Sequence, residues 1–425
     1  MSLLIKNGTV LTHRGHFNAN ILLWNGKIAV FTKNEPKADE VIDASGKLVM
    51  PGVVDPHVHF RQPGMSSEDW ASGSKAALAG GVTTVLDMPN TKPPTTTLSR
   101  LEEKKTLIST STPNGPLVNY GLHFGVTVEN LEEVFRAVGW GTPTILAASA
   151  KVFMGSSTGD LLVRDLEVIR QVVRGSRLVS VHAEDEEIIL MHADKPDHSS
   201  RRPKLAAISA IKKLLSVAQQ GRVYVLHVTS WDEAELASPF YREATPHHLF
   251  LNSSALKEIG NYAKVNPPLR EESDRRSLWQ ALKNNMIEAI GSDHAPHLKE
   301  DKAKENAPSG MPGVETSLPL MINASLNGLI GLEKVVELMC YNPSRIFSIK
   351  DKGKMELGAD ADITIVDPNL EKKVTAEELH YKCGWTPYEG VRLRGWPIIT
   401  IVGGKIAFRE GEFFPVRGKE VSYAV

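Results

Sequence analysis

The stretch from Leu48 to Gly64, LVMPGVVDPHVHFRQPG, decides how the rest of the chain is interpreted. Its apolar first half is typical of a buried strand, and His57 and His59 follow one residue apart where that strand ends. Because side chains alternate between the two faces of a strand, His57, His59 and Arg61 are predicted to point the same way. That face would collect two neutral nitrogen donors and one permanent cation.

After this stretch, short apolar segments alternate with segments of helix length. We predict further strands in VTTVLDM, YGLHFGVT, ASAKVFM, LVSVHAE, RVYVLHV, ATPHHLFL and MIEAIGSD. With the strand that ends at His57, they make about eight β/α units over roughly 300 residues, which is the size of a (β/α)8 barrel. The predicted fold class is therefore α/β, with a TIM barrel as the main body.

Both ends of the chain have a different pattern. The N-terminal part consists of short apolar stretches separated by Asn-Gly dipeptides, which favour tight hairpins, and DITIVDP and IITIVGGKIAF continue this pattern near the C-terminus. We therefore predict a small β-sandwich domain that joins both termini beside the barrel. The predicted boundaries are residues 1–52 with 355–425 for the β domain, and 53–354 for the barrel.

The composition argues for a globular protein that acts on a small molecule. The chain has 425 residues, 41% of them hydrophobic and 23% charged, and its formal net charge is -1. This balance provides no cationic surface for nucleic acid or for an anionic membrane. No apolar run reaches the roughly 18 to 20 residues of a membrane span, and the N-terminus lacks the features of a secretory signal. The only cysteines, Cys340 and Cys383, do not suggest a disulfide framework, and a cytoplasmic location is predicted.

Polar residues stand at the ends of several predicted strands. In a (β/α)8 barrel the carboxyl ends of the strands meet at one mouth, where active sites are built. Taken alone, each of these residues has an ordinary explanation, such as a loop histidine or a helix cap. Together, imidazole and carboxylate ligands from separate strands favour a site for two metal ions, typically zinc. In chain order the residues are His57, His59, Lys151, His182, His227 and Asp293.

Lys151 lies inside the otherwise apolar segment ILAASAKVFM. The ordinary interpretation is an ammonium that pairs with a carboxylate or extends along apolar surface to water. The alternative is an amine that neighbouring cations keep neutral until it captures carbon dioxide, which gives a carbamate able to bridge two metals. The residue alone favours the first interpretation, and the set of ligands around it favours the second.

An ordered set of motifs along nearly the whole chain resembles the amidohydrolase superfamily and, within it, the dihydroorotases. The motifs include VMPGVVDPHVHFRQPG, DMPNTKPP, AKVFMGSSTGDL, HAED, ATPHHLFL, KVNPPLR, GSDHAPH, MPGVET and LGADADITIVDP. The resemblance implies a (β/α)8 barrel, a β domain from both termini and a centre of two zinc ions. It implies one metal on His57, His59 and Asp293 and another on His182 and His227, with carboxylated Lys151 and a hydroxide between them.

The resemblance also implies which residues bind the substrate. Arg61 is the residue that best distinguishes this sequence from allantoinases and dihydropyrimidinases, whose ring substrates lack a carboxylate. A guanidinium matches a carboxylate in bidentate fashion. By resemblance, the residues that hold the carboxylate are Arg61, Asn90 and His297, and those that contact the ring amide are Asn266, Pro312 and Gly313.

The implied activity is the reversible, metal-dependent interconversion of N-carbamoyl-L-aspartate and L-dihydroorotate in pyrimidine biosynthesis, with Asp293 moving the proton. The alternatives are another cyclic amidase, such as an allantoinase or a dihydropyrimidinase, and a metal-free scaffold homologue. By the habit of the family a homodimer is expected, and some relatives dock with aspartate transcarbamoylase. The sequence leaves both of these associations open.

Some positions depart from the family pattern or have no assigned role. Asn266 stands where some relatives have arginine, and Leu226 stands where some have a cysteine that belongs to an extra metal site. His247 and His248 fit either the barrel wall or the site, and the wall is favoured because no ligand position is left over.

The segment GSSTGD directly follows the fourth predicted strand. Its glycines and hydroxyl residues suit a mobile lid that excludes water, and a plain connecting loop has the same composition. Ser157 and Thr158 are the candidate lid residues.

Overall fold

Strands from both ends of the chain pair with each other, and the strands between them form a barrel. In the computed structural model, which describes residues 2–157, 159–218 and 222–424, the strands are β1 (Ser2–Lys6), β2 (Thr9–Thr12), β3 (Gly15–Asn18), β4 (Asn20–Trp24), β5 (Lys27–Thr32), β6 (Glu40–Asp43), β7 (Leu48–Pro51), β8 (Val53–Val58), β9 (Val82–Asp87), β10 (Asn119–Leu122), β11 (Phe124–Gly125), β12 (Ala150–Phe153), β13 (Val179–His182), β14 (Val223–Val225), β15 (Tyr241–Ala244), β16 (Ala289–Ile290), β17 (Ile363–Lys373), β18 (Arg392–Val402), β19 (Lys405–Arg409) and β20 (Glu412–Phe413).

The terminal strands form two sheets, ordered β5-β4-β1-β6 and β20-β19-β18-β17-β7-β2-β3 over the described residues. In the second sheet β7 lies between parallel β2 and antiparallel β17, with Val49 opposite Ile365. One aliphatic cluster contains Ile5 and Ile21 of the first sheet together with Val49 and Ile363 of the second, so the two sheets pack face to face. A sandwich built from both termini is thus present, and the boundaries at which it was divided from the barrel stay a prediction.

The middle of the chain forms the barrel. Among the described residues, eight parallel strands follow one another from β8 to β16, since β10 and β11 are two halves of one strand interrupted at His123. An isolated parallel bridge between Val58 and His294, with a hydrogen bond from His59 N–H to His294 O of 2.8 Å, brings the first strand beside the eighth. The predicted (β/α)8 barrel is confirmed.

Helices follow the barrel strands and cover them. Every residue of β8 and β9 is buried, as expected for strands with helices outside and side chains filling the barrel inside. None of the described helices is long and apolar enough to cross a membrane. The helices are α1 (Trp70–Ala79), α2 (Leu98–Ser109), α3 (Leu131–Val138), α4 (Leu166–Gly175), α5 (Glu186–Met191), α6 (His198–Arg201), α7 (Lys204–Val217), α8 (Trp231–Leu236), α9 (Pro246–Phe250), α10 (Ala255–Glu258), α11 (Glu272–Lys283), α12 (Lys299–Lys302), α13 (Ser317–Leu326), α14 (Leu332–Val336) and α15 (Asn342–Ile346), with a 3-10 turn at Gly260–Ala263 and a π turn at Glu337–Tyr341.

The seventh barrel strand differs from its prediction. It is β15, which ends at Ala244, whereas most of the predicted segment ATPHHLFL is the helix α9. Thr245 caps this helix by accepting a hydrogen bond from the His248 N–H, and Pro246 occupies its first turn. A threonine cap followed by proline is a helix start, and here it outweighs the apolar run that suggested a strand.

A buried ion network joins the barrel to the terminal sheets. Lys352 Nζ lies 2.7 Å from Asp360 and 2.6 Å from Asp362, and 9% of the lysine side chain is exposed. Asp362 also accepts hydrogen bonds from Asn119 Nδ2 of β10 (2.9 Å) and from the Gly403 N–H (2.7 Å). Burial opposes it, but the two carboxylates raise the pKa of Lys352, so the lysine stays charged. The amino end of β10 is therefore fixed to the turn between β18 and β19.

Candidate active site

A polar cavity lies at the carboxyl ends of the barrel strands. All six predicted metal ligands line it, together with four of the other predicted residues. Of the predicted site residues that the structure describes, His297, Pro312 and Gly313 do not line it. The lining residues are His57, His59, Arg61, Asn90, Lys151, Phe153, Ser157, His182, His227, Asn266, Asp293, Ala295, Ser309 and Gly310.

The barrel strands place the six candidate ligands. β8 ends at Val58, between the two histidines of the HVH motif, and Lys151 lies within β12. His182 is the last residue of β13, while His227 and Asp293 follow shortly after β14 and β16. Because the strands are parallel, these positions converge on one end of the barrel.

His57, His59 and Asp293 form a compact group. The Nε2 atoms of His57 and His59 lie 3.1 and 3.2 Å from Asp293 Oδ1, and all three residues are buried. On the other side of each ring, His57 Nδ1 lies 2.8 Å from Glu243 Oε1 and His59 Nδ1 lies 2.8 Å from Asn90 Oδ1. Because each Nδ1–H has an oxygen acceptor, both Nε2 atoms are left to act as ligands. This group could hold a metal ion.

His182 and His227 form a second group, turned toward each other. His182 Nδ1 lies 2.9 Å from His227 Nε2, while His182 Nε2 lies 3.0 Å from Glu184 Oε2. The ring centroids of His57 and His227 are 5.7 Å apart, so the two groups are neighbours. With Nε2 of His182 engaged by a carboxylate, its Nδ1, which faces His227, is the nitrogen left to act as a ligand, the opposite of the arrangement at His57.

Lys151 is buried on the wall of the same cavity, and within the described part of the chain it has no ion-pair partner. Its side chain is 1% exposed and its Nζ lies 4.3 Å from the centroid of the Phe153 ring. In residues 2–157, 159–218 and 222–424, no carboxylate or carbonyl oxygen lies at hydrogen-bond distance from this amine. Burial lowers the pKa of Lys151 to about 7, although Glu243 and Asp293 oppose the shift. Neither ordinary explanation of this lysine, an ion pair or an extension to solvent, fits its surroundings.

Two carboxylates, Asp293 and Glu243, lie against His57 in the first histidine group. Burial alone would lower the pKa of His57, but the carboxylates of Asp293 and Glu243 raise it to about 9. Burial would raise the pKa of Asp293, and the rings of His57 and His59 hold it well below its usual value. Two carboxylates that face one imidazole favour a cation at this point, which is what a divalent metal supplies.

Arg61 reaches the cavity in a way that strand alternation does not explain. Since β8 ends at Val58, the alternation used to predict the direction of Arg61 has stopped before that residue. Its backbone has φ of +65°, and His227 (+41°) and Asp293 (+45°) share this left-handed region. Such conformations are costly for residues other than glycine and persist where the surroundings impose them, typically at functional sites.

The fold and this geometry agree with the comparison to known proteins. A sequence model of the Amidohydrolase family matches residues 48–140 and 143–407. The chain belongs to the amidohydrolase family.

This amidohydrolase is similar over nearly its whole length to proteins named dihydroorotase. It is 36% identical to the one from Methanosarcina mazei, over 98% of this chain and 96% of that protein. It is 39% identical to the one from Pyrococcus abyssi, over 96% of each. Among solved structures, the L-hydantoinase (dihydropyrimidinase) from Arthrobacter aurescens superimposes with a TM-score of 0.91 at 32% identity over 99% of both chains.

One side of the cavity is built around Arg61. Arg61 is 2% exposed, and its guanidinium donates from Nε to Pro296 O (3.0 Å), while Nη2 lies 3.2 Å from His297 Nε2. The same His297 nitrogen lies 3.0 Å from Ser309 O, and burial lowers the pKa of His297 to about 2, so the ring is neutral. In the tautomer that carries its proton on Nδ1, His297 accepts from Arg61 through Nε2, and it then stands behind Arg61 and orients it.

Pro312 and Gly313 lie away from the cavity wall. The Gly313 N–H donates to His294 Nδ1 (3.1 Å), and its carbonyl accepts from Thr316 and Ser317. Both polar groups of Gly313 are thus used within the protein, and the predicted contact of this residue with a ring amide stays a prediction.

The predicted lid begins beside the second histidine group. Ser157 lines the cavity, and Thr158 lies outside the described residues. The neighbouring Ser156 donates its N–H to Glu186 Oε2 (2.6 Å) and accepts from Arg202 Nη2 (2.8 Å). The base of this loop is therefore fixed, and the lid function of Ser157 and Thr158 stays a prediction.

Sequence reasoning missed the acidic residues that orient the histidines. Glu184 lies behind His182 and is held by Arg202, which donates from Nε (3.0 Å) and Nη2 (2.6 Å). Burial opposes it, but Arg202 and His182 keep the pKa of Glu184 well below its usual value. Glu243 lies behind His57. A signal for both was present, because each is an acidic residue in or directly after a buried strand, in HAED and YREA.

His247 and His248 stand on α9, outside the barrel strands. His248 is held by Thr245 Oγ1 (2.8 Å) and Pro267 O (3.0 Å), so its ring is satisfied by the protein. His247 is 2% exposed, and within the described part of the chain its Nε2 has no hydrogen-bond partner. Neither ring lines the cavity formed by the candidate ligands.

The Glu243→Gln variant tests whether the carboxylate behind His57 orients that ring. Glu243 also accepts from Tyr224 OH (2.9 Å) and lies 3.3 Å from the His227 N–H, so glutamine keeps the size and loses the charge. We expect metal affinity at the His57 group to fall about 10- to 100-fold, measured by metal retention against a chelator. The exposed Glu258→Gln is the matched control. Unchanged retention in Glu243→Gln would show that His57 needs no orienting carboxylate.

Proposed function

We propose that this amidohydrolase is a dihydroorotase, which interconverts L-dihydroorotate and N-carbamoyl-L-aspartate in pyrimidine biosynthesis. The observation that carries the proposal is the buried guanidinium of Arg61 on the wall of the cavity that holds the candidate metal ligands. A permanent cation in such a place favours a substrate with a carboxylate. The relatives named dihydroorotase, matched over nearly their whole length, support the same assignment.

The donor set fits two zinc ions. His57, His59 and Asp293 would hold one ion, and His182 and His227 would hold the other, since their facing nitrogens are those not engaged by Glu243 or Glu184. Imidazole with carboxylate is a ligand set that zinc accepts. The second group lacks an anionic ligand, and a carbamate on Lys151 would supply one to both ions.

Lys151 is suited to form that carbamate. An amine with a pKa of about 7 is substantially unprotonated at neutral pH, so its nitrogen can attack carbon dioxide. The neutral amine and carbon dioxide give a carbamate with one negative charge, and one proton leaves to solvent; a lysine that starts as the ammonium first loses one further proton. Burial without a partner, which is costly for the ammonium, is thereby relieved.

Substrate binding and proton transfer are then assigned to separate side chains. When bound, the metal pair supplies an activated water and polarises the ring carbonyl. Arg61 binds the substrate carboxylate and so fixes the ring in the cavity. Asp293 accepts a proton during attack on the ring amide and returns it to the leaving nitrogen, which opens the ring. In the reverse direction the same proton transfers close it.

The Arg61→Gln variant tests the substrate assignment. A charge-assisted pair is worth about 1.5–3 kcal/mol, so we expect KM for dihydroorotate to rise about 10- to 100-fold with a smaller change in kcat. Steady-state kinetics with zinc-loaded protein measure this change. Arg276→Gln is the control, since 76% of that side chain is exposed. An unchanged KM in Arg61→Gln would remove Arg61 from the binding site.

The experiment that tests the function compares three substrates on the purified protein loaded with zinc. We expect turnover of dihydroorotate, and little or none of allantoin or dihydrouracil. Turnover of a neutral ring alone would keep the metal chemistry and make the protein another cyclic amidase, in line with its similarity to the L-hydantoinase structure. Inactivity on all three, without bound metal, would favour a scaffold homologue.

The expected homodimer, the docking with aspartate transcarbamoylase and the cytoplasmic location stay predictions drawn from the family. The supporting observation for a small-molecule partner is the polar cavity itself.

A further inference from the structure

Lys302 is a buried lysine outside the metal centre. It is the last residue of α12, and its side chain is 0% exposed. Its Nζ donates to the carbonyl oxygens of Lys264 (3.0 Å), Pro308 (3.0 Å) and Gly310 (2.9 Å). An ammonium has three protons, so each proton has a carbonyl acceptor. Among the residues that the structure describes, no carboxylate lies within 4 Å of this Nζ.

These three carbonyls belong to two different loops of the cavity. Lys264 lies two residues before Asn266, in the loop that follows β15 and its short helices. Pro308 and Gly310 flank Ser309 in the loop that follows β16. Since Asn266, Ser309 and Gly310 all line the reaction cavity, Lys302 ties together two parts of its wall.

Further contacts make this junction tight. The Gly310 N–H donates to Lys264 O (2.9 Å), and Lys264 Nζ donates to Ala307 O (2.7 Å). Gly310 has φ of +138°, and an added Cβ would lie 2.4 Å from Ala295 O and 3.2 Å from His297 Cδ2. The residue that Lys302 holds is therefore packed against the histidine that orients Arg61.

The charge of Lys302 is placed on the same side of the cavity as Arg61. Burial, together with the charges of Lys264 and Arg61, lowers the pKa of Lys302 to about 7. Carbonyl dipoles alone compensate a buried cation poorly compared with a carboxylate. A substrate carboxylate bound at Arg61 would supply the missing negative charge to both cations.

We propose that Lys302 is a positioning residue that determines specificity for acidic ring substrates, because it holds the Ser309–Gly310 wall in place and carries a second buried positive charge when a carboxylate binds at Arg61. This inference rests on the proposed function and extends it to a residue that does not touch the substrate. The preference for a carboxylate then depends on the pair of cations, with Arg61 in contact and Lys302 behind it.

The test measures the preference for a carboxylate directly. Orotate and uracil differ only in that group, so the ratio of their inhibition constants against dihydroorotate turnover isolates it. We expect Lys302→Met to reduce the preference for orotate over uracil about tenfold or more, and to raise KM for dihydroorotate more than it lowers kcat. Lys302→Gln can still donate to two carbonyls, so we expect it to retain more kcat while losing the same preference. Lys304→Met is the control, since 66% of that side chain is exposed in the same segment.

A Lys302→Met protein that is folded and keeps the wild-type preference would overturn the inference, even if its melting temperature is lower. If Lys302→Met does not fold, the same ratio measured on Lys302→Gln decides. The wild-type protein in the same assay keeps the two proposals apart. Turnover of dihydroorotate by the wild type with an unchanged preference in the variants rejects only the role of Lys302, whereas a wild type active only on neutral rings rejects the proposed function.

Discussion

The Lys151→Ala variant is expected to lose both turnover and bound metal. Lys151 is the only side chain that the proposal gives to both metal ions, and the His182 group has no anionic ligand without it. Loss of metal chemistry removes several kcal/mol of transition-state stabilisation, so we expect kcat to fall about 10³-fold or more. Metal content by elemental analysis is expected to fall from about two ions per chain toward one or none.

Chemical rescue separates a bridging role from a structural one. A short carboxylate such as acetate fits the space left by the lysine side chain and offers the same pair of oxygens. We expect it to restore part of the activity of Lys151→Ala and to leave the control Lys283→Ala, an exposed lysine at the end of α11, unaffected. A fully active Lys151→Ala protein without added carboxylate would reject the bridge.

The Asp293→Asn variant is expected to keep metal and lose turnover. Asparagine retains an oxygen that can face His57 and His59, but it cannot accept the proton that the reaction releases. Loss of a general base costs about 10²- to 10⁴-fold in kcat. The measurement is kcat on dihydroorotate together with metal content in the same preparation.

Asp301→Asn is the matched control, since this aspartate lies in the same segment and is partly exposed beside Lys304. Turnover that survives in Asp293→Asn would place the proton transfer on another group. Loss of metal together with turnover would instead make Asp293 mainly a ligand.

The positions of the candidate ligands could be predicted because the barrel enforces a simple rule. Parallel strands end at one mouth, so reading the last residues of each apolar segment was enough to collect His182, His227 and Asp293. The buried partners of these residues were harder to predict. Glu243 contacts His57 across 186 positions of sequence, and no local pattern reports such a pairing.

Two arguments from side-chain periodicity did not hold locally, although Arg61 does line the cavity together with His57 and His59. The direction of Arg61 was argued from strand alternation, and the chain leaves the strand before that residue and enters a left-handed turn. The ATPHHLFL segment was predicted to be a strand, and its Thr245-Pro246 pair starts a helix instead. In both places the local backbone conformation decided where the chain goes next. Side-chain periodicity does not encode that conformation.

The pairing of β7 with β17 has a consequence for how the protein is made. Val49 and Ile365 are partners in one sheet, yet the ribosome synthesises the whole barrel between them. At about 5–20 residues per second, β7 waits roughly a quarter of a minute to a minute for its neighbour, with an unpaired apolar edge on the nascent chain. Such a high contact order slows folding and leaves this edge open to aggregation. The catalytic barrel and the sheet from both termini therefore mature together, once the last strands have been synthesised.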